Sequence, residues 1–159
     1  MKKLSLRILI LIIYIFTVMF FVSCGKKVQV FEKYDFNSGE YSLHGILSEG
    51  DPSYFTEEIG DFLITDTVVL HNIKNDWKIS LTDKRMPCGD SYIIVLMKGD
   101  SCVSHFGINL ECEYLTYGED WYNFPARLLN KYDNSVIKVS RQEASAFHDT
   151  LINRRSFNN

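Results

Sequence analysis

Proline is scarce, at 3 residues in 159, and the 9 glycines are scattered. A Pro/Gly-rich disordered or collagen-like chain is therefore excluded. No Gly-rich phosphate loop is present, and there is no internal repeat or low-complexity segment. The four histidines, His44, His71, His105 and His148, fall on four separate segments. None has the short spacing of a zinc motif such as H-E-x-x-H. Positive charge is also short: 17 Lys and Arg against 20 Asp and Glu give a net charge of −3, which argues against a nucleic-acid partner. These absences predict a protein that is not an enzyme and uses no cofactor or metal.

What the chain does have is a distinctive start. Lys2, Lys3 and Arg7 precede an apolar run from Ile8 to Val22, closed by Ser23 and Cys24. A basic stretch, an apolar stretch and a small residue at the boundary form the layout of a secretory signal. The alternative, an uncleaved membrane anchor, is short: the 16 residues from Ile8 to Ser23 make about 24 Å of helix against a bilayer core of about 30 Å. The ending Phe21-Val22-Ser23-Cys24 resembles the lipobox of bacterial lipoproteins. The resemblance implies cleavage before Cys24, a diacylglycerol on its thiol, acylation of the new amino terminus such as palmitate, and attachment to a membrane of the cell envelope. Loss of Lys2, Lys3 and Arg7 takes the 17 basic residues to 14 against 20 acidic, a mature charge of −6.

The remainder reads as one domain. Residues 1–23 are the signal, 24–40 a tether, 41–155 a single globular α+β domain and 156–159 a frayed tail. Within 24–40, Val28, Val30 and Phe31 offer a first strand as the alternative to a spacer. Alternation over Tyr41–Leu47 predicts a strand with His44 on its polar, solvated face. Asp66–Trp77 reads as a helix capped by Thr65 or Asp66, with Val69, Leu70, Ile73 and Trp77 on one face and His71 and Lys74 toward solvent. A short strand follows at Lys78–Thr82. Pro125 suits the first turn of a helix over Pro125–Tyr132, and Val136–Val139 reads as a strand. Ser140–Glu143 forms a capping box that opens a last helix running to about Arg154. The fold expected is an antiparallel sheet with a central hairpin and two or three helices on one face.

That hairpin sorts the cysteines. Ser91–Met97 is apolar on both faces and reads as an inner strand. A turn follows at Lys98–Ser101, and then strict alternation from Cys102 to Leu115 predicts one long strand. Alternation puts Cys102 and His105 on opposite faces, so they make no nucleophile–base dyad. His105, Glu111 and Glu113 share a face, which reads as wet strand surface rather than a metal site. Paired positions about the turn sum to about 199 or 200, which sets Cys88 opposite Glu111 or Cys112. The predicted disulfide is Cys88–Cys112, with Cys102 free and Cys88–Cys102 as the rival pairing. Closing a loop of about 25 residues contributes of order 3 kcal/mol in the entropic picture.

Tyr117–Pro125 reads as an aromatic, acidic loop. Its Tyr117, Trp121 and Tyr122 form the candidate binding surface, for a protein or glycan partner; the competing reading pins these rings to the sheet. The expected function is a lipid-anchored envelope protein with a small non-catalytic binding domain. The alternative is an inhibitor or immunity-type protein that neutralises a secreted enzyme.

Overall fold

A computed structural model describes residues 27–38, 40–48, 54–85 and 88–144. The signal segment, Cys24, His148, the last helix beyond 144 and the tail 156–159 lie outside the described residues. The architecture is α+β, built on a nine-stranded antiparallel sheet. In chain order the strands are β1 (Lys27–Gln29), β2 (Tyr41–Leu47), β3 (Phe62–Ile64), β4 (Lys78–Leu81), β5 (Tyr92–Lys98), β6 (Ser101–Asn109), β7 (Tyr114–Tyr117), β8 (Asp120–Asn123) and β9 (Ile137–Lys138). The helices are α1 (Tyr54–Ile59), α2 (Thr67–Asp76) and α3 (Arg127–Asn130). Across the sheet the order is β1-β4-β8-β7-β6-β5-β2-β3-β9.

The β5–β6 hairpin is the spine of this sheet. Lys98 pairs with Ser101 and Tyr92 with Ile108. Tyr92, Ile94 and Leu96 are fully buried on one face, and Val95 and Met97 are buried on the other. Period-two alternation thus feeds two cores. The larger holds Leu43, Phe62, Ile94, Phe106 and Ile108, with Leu70 and Ile73 of α2 and Leu129 of α3. The smaller, on the opposite face, gathers Ile46, Val95, Met97 and Ala144. Ala144 belongs to the helical turn that starts at Arg141, so this turn covers the second face.

α2 forms where a cap and an apolar stripe coincide. The Asp66 carboxylate accepts hydrogen bonds from the Val68 and Val69 amides at 2.7 and 3.1 Å, satisfying donors that a helix start leaves unpaired. Leu70 and Ile73 point inward, and Trp77 closes the helix as a fully buried plug whose indole donates to the Leu128 carbonyl at 2.9 Å. The predicted solvent-side residues are tied down: His71 bonds Asn37 Oδ1 at 2.9 Å and Lys74 donates to the Tyr34 carbonyl at 2.5 Å. The capping box is present, with the Ser140 amide and hydroxyl donating to Glu143 Oε2 at 2.8 and 2.7 Å. Arg141 also pairs with the buried Asp61 carboxylate at 3.0 Å, which fastens the turn to β2 and β3.

Five expectations change. First, of the two readings of 24–40 the first strand holds and the spacer does not, so the folded domain starts before residue 41: β1 pairs with β4, and Phe31 and Phe36 are buried in the main core against Trp77 and Tyr41. Second, the long strand from Cys102 breaks after Asn109. Leu110–Glu113 is a turn in which Glu113 takes a left-handed φ of 53°, and the Leu110 and Cys112 amides bond the Ser91 hydroxyl and Asn109 Oδ1 at 2.8 and 2.5 Å. Glu113 thereby leaves the strand face and accepts from the Ala126 amide at 3.1 Å.

Third, a bulge interrupts β6, because Leu96 pairs with Ser104 but Met97 with Cys102. The extra residue, Val103, shifts the parity, so Cys102 and His105 fall on one face. Fourth, Tyr117–Pro125 is not a loop: β7 and β8 form a hairpin turning at Gly118–Glu119. Fifth, His44 is buried, at 5% exposure, beside its register partner Val95 of the smaller core.

Candidate functional site

The folded N-terminal segment lines a cleft. Residues 28–33, the end of β1 and the turn that follows it, form an N-terminal arch at the sheet edge and wall a cleft of about 280 Å³ with residues of β4, β6, β7 and β8. Ile79 and Leu115, both buried, make its floor. Val28 and Tyr117 stand at its rim, 38% and 44% exposed. A volume near 300 Å³ with apolar walls and a few polar groups lies at the small end of ligand-binding pockets.

The polar groups converge from two sides. Glu32 and Lys33 come from the N-terminal arch. The Lys33 ammonium lies over the Tyr34 ring, 5.0 Å from its centroid. Its pKa is raised by a hydrogen bond and attraction to Tyr34, with a smaller contribution from Tyr117, so Lys33 stays a cation. The Tyr34 hydroxyl is held in turn by the Val103 carbonyl at 2.8 Å, which fixes the arch to the bulge in β6. On the opposite wall, burial and the nearby Asp120 carboxylate push the Tyr122 phenol above its ordinary pKa, so it remains a neutral donor.

Tyr117, Trp121 and Tyr122 do not form one patch. Tyr117 and Tyr122 line the cleft on the core side of the hairpin. Trp121 pairs with Thr116 on the other side and packs on Tyr114 with ring centroids 4.7 Å apart. Adjacent residues of a strand point to opposite faces, so the hairpin divides the set. The residues of the arch that sequence reasoning missed are Val28, Glu32 and Lys33. The signal available for them was the apolar alternation Val28, Val30.

The opposite sheet face holds titratable groups in a different setting. Cross-strand register aligns His44, Val95 and His105 in one row and Ser42, Met97 and Cys102 in the next. His44 bonds the Ser42 hydroxyl at 2.9 Å, and burial holds its pKa down to about 4. Asp90 packs where Gly107 has no side chain; a Cβ there would sit 2.2 Å from the carboxylate. Burial raises the Asp90 pKa against a hydrogen bond from Thr116. Among the described residues no group of three or more His, Cys, Asp or Glu converges as a metal site, and no helix is long and apolar enough to cross a membrane.

Cys88 and Cys112 lie at disulfide distance, with sulfurs 1.99 Å and Cα atoms 6.7 Å apart, while Cys102 stands separate. The Tyr114 hydroxyl donates to the Cys88 and Gly89 carbonyls, the latter at 3.0 Å, and braces this link. Cys24 lies outside the described residues. No protein-family model, curated protein or solved structure matches the chain.

Proposed function

We propose that this is a lipid-anchored envelope protein whose domain binds a ligand in the cleft without transforming it. The observation that carries the reading is the position of the cleft in the chain. Its wall includes Val28, four residues after Cys24, and four extended residues reach at most about 14 Å. A lipid on Cys24 would hold the cleft beside the membrane surface. More than one acyl chain makes such an anchor durable, at about 0.8 kcal/mol per buried CH₂. An exported domain also suits a Cys88–Cys112 disulfide, which an oxidising compartment preserves.

Mass spectrometry of the mature N-terminal peptide tests the reading. Diacylglyceryl-Cys24 without residues 1–23 is expected, with one alkylatable thiol, Cys102, in the non-reduced protein. Retention of Met1 with an unmodified Cys24 would overturn the anchor, and three free thiols the disulfide.

The mature charge of −6 supports a second reading, an inhibitor or immunity-type protein that neutralises a basic secreted enzyme. A pull-down from solubilised membranes separates the two. One tight basic enzyme partner favours inhibition, and ligand capture without a protein partner favours the cleft.

A further inference from the structure

We infer that the cleft holds the chain of a single-chain zwitterionic lipid, of the lysophospholipid class, drawn from the membrane next to the domain. This deepens the reading above and rests on it for the source of the ligand.

Three observations select that chemistry. The floor and one rim, Ile79, Leu115 and Val28, are aliphatic and carry no hydrogen-bonding side chain, so they suit a hydrocarbon chain better than a sugar rich in hydroxyls. The size fits one chain: at about 30 Å³ per methylene, close to the share of one liquid water, roughly nine methylenes fill the 280 Å³ cleft. The charges fit the head. Glu32 and Lys33 place one anion and one cation at the cleft, both on exposed positions. A zwitterionic phosphoethanolamine presents the complementary pair, phosphate to Lys33 and ammonium to Glu32. Tyr117 and Tyr122 offer phenols at the boundary between chain and head, where an apolar ring with a polar tip is well placed.

The expected order is therefore the chain filling the cleft over Ile79 and Leu115, with glycerol and head outside its mouth, beside the exposed Tyr117 and residues 32 and 33. A two-chain phospholipid exceeds the volume and stays in the bilayer.

The test uses the full-length protein extracted from membranes and reconstituted into phosphatidylcholine vesicles. The probe is decanoyl-lysophosphatidylethanolamine with a photoreactive group on its chain. Labelling is expected on peptides spanning residues 28–33 and 115–122, and unlabelled probe should compete it away. Decyl maltoside, which has the same chain and a sugar head, should compete about tenfold less well. Val28→Glu, at an exposed rim position, should reduce labelling about tenfold by placing a charge against the chain. Lys33→Glu should abolish the preference for the zwitterionic head.

Even labelling over the surface, or labelling unchanged by both variants, would overturn the inference. Better competition by the maltoside would also overturn it, in favour of a glycan. Intact mass of the same sample reads the anchor independently. Cleft labelling on protein with unmodified Cys24 sinks the anchor alone, and lipidated protein without cleft labelling sinks this inference alone.

Discussion

Trp121 and Tyr122 are neighbours in the chain whose rings serve opposite faces of one hairpin. Tyr122 lines the cleft, and Trp121 packs on Tyr114 over the loop that carries Cys88 and Gly89. Their truncations should therefore separate. Tyr122→Ala is expected to weaken ligand binding with a modest loss of stability. Trp121→Ala should leave binding within about twofold and cost of order 1–2 kcal/mol through the lost ring pair and its packing. Titration of the ligand and denaturant unfolding on both variants check this. Equal effects of the two variants on binding would contradict the division.

Gly45 faces Phe62 so closely that an added Cβ would sit 2.0 Å from the Phe62 ring, and the two residues are register partners in β2 and β3. Phe62 is fully buried, so its ring has little room to retreat. Gly45→Ala is expected to destabilise by about 1–3 kcal/mol or more, as overpacking does. Gly45→Ala combined with Phe62→Leu should recover part of that loss. Urea midpoints of the two variants measure the difference.

The N-terminal arch makes a sharper prediction. Phe31 touches Trp77, Phe36 and Phe106 with ring centroids 5.6 to 6.0 Å apart and is fully buried. Phe31→Ala should cost about 3–5 kcal/mol, the usual range for emptying an aromatic site in a core. A spacer residue would cost almost nothing. Thermal unfolding of Phe31→Ala beside Lys27→Ala, an exposed position in β1, makes the contrast within one experiment.

His44 links stability to pH. Burial disfavours the imidazolium and holds its folded pKa at about 4, below the ordinary histidine value of 6.5. The unfolded chain therefore binds the proton first as pH falls, and stability contributed by neutral His44 is complete above about 6.5 and drains away toward 4. The loss between pH 7 and pH 4 should be of order 1–2 kcal/mol after allowance for solvent screening. His44→Leu, which cannot titrate, should flatten that part of the curve. An unchanged slope in the variant would place the dependence on other groups.

Much of this fold was legible where local pattern and local structure coincide. The β5–β6 turn follows from alternation flanking Lys98–Ser101, and that register alone led to the pairing of Cys88 with Cys112. The Asp66 cap and the Ser140–Glu143 box are short-range hydrogen-bond signals that survive into the structure. The errors arose where pattern and structure part. Alternation runs unbroken through Leu110 and Cys112, and no glycine or proline marks the turn that Glu113 makes. Nothing local reports that Lys27 pairs with Ser80, so the pattern at Val28, Val30 and Phe31 leaves a first strand and a spacer as equal alternatives. The candidate site suffered twice. Its second wall lay in that undecided segment, and treating 117–125 as a loop concealed the parity that parts Trp121 from Tyr122.

The two outermost strands, β1 and β9, are three and two residues long, and each carries a lysine, Lys27 and Lys138. A border that short offers an incoming strand few backbone groups, and stacking a second molecule there would bring like charges together. The protein can thus be concentrated without these two borders serving as a template for fibre growth.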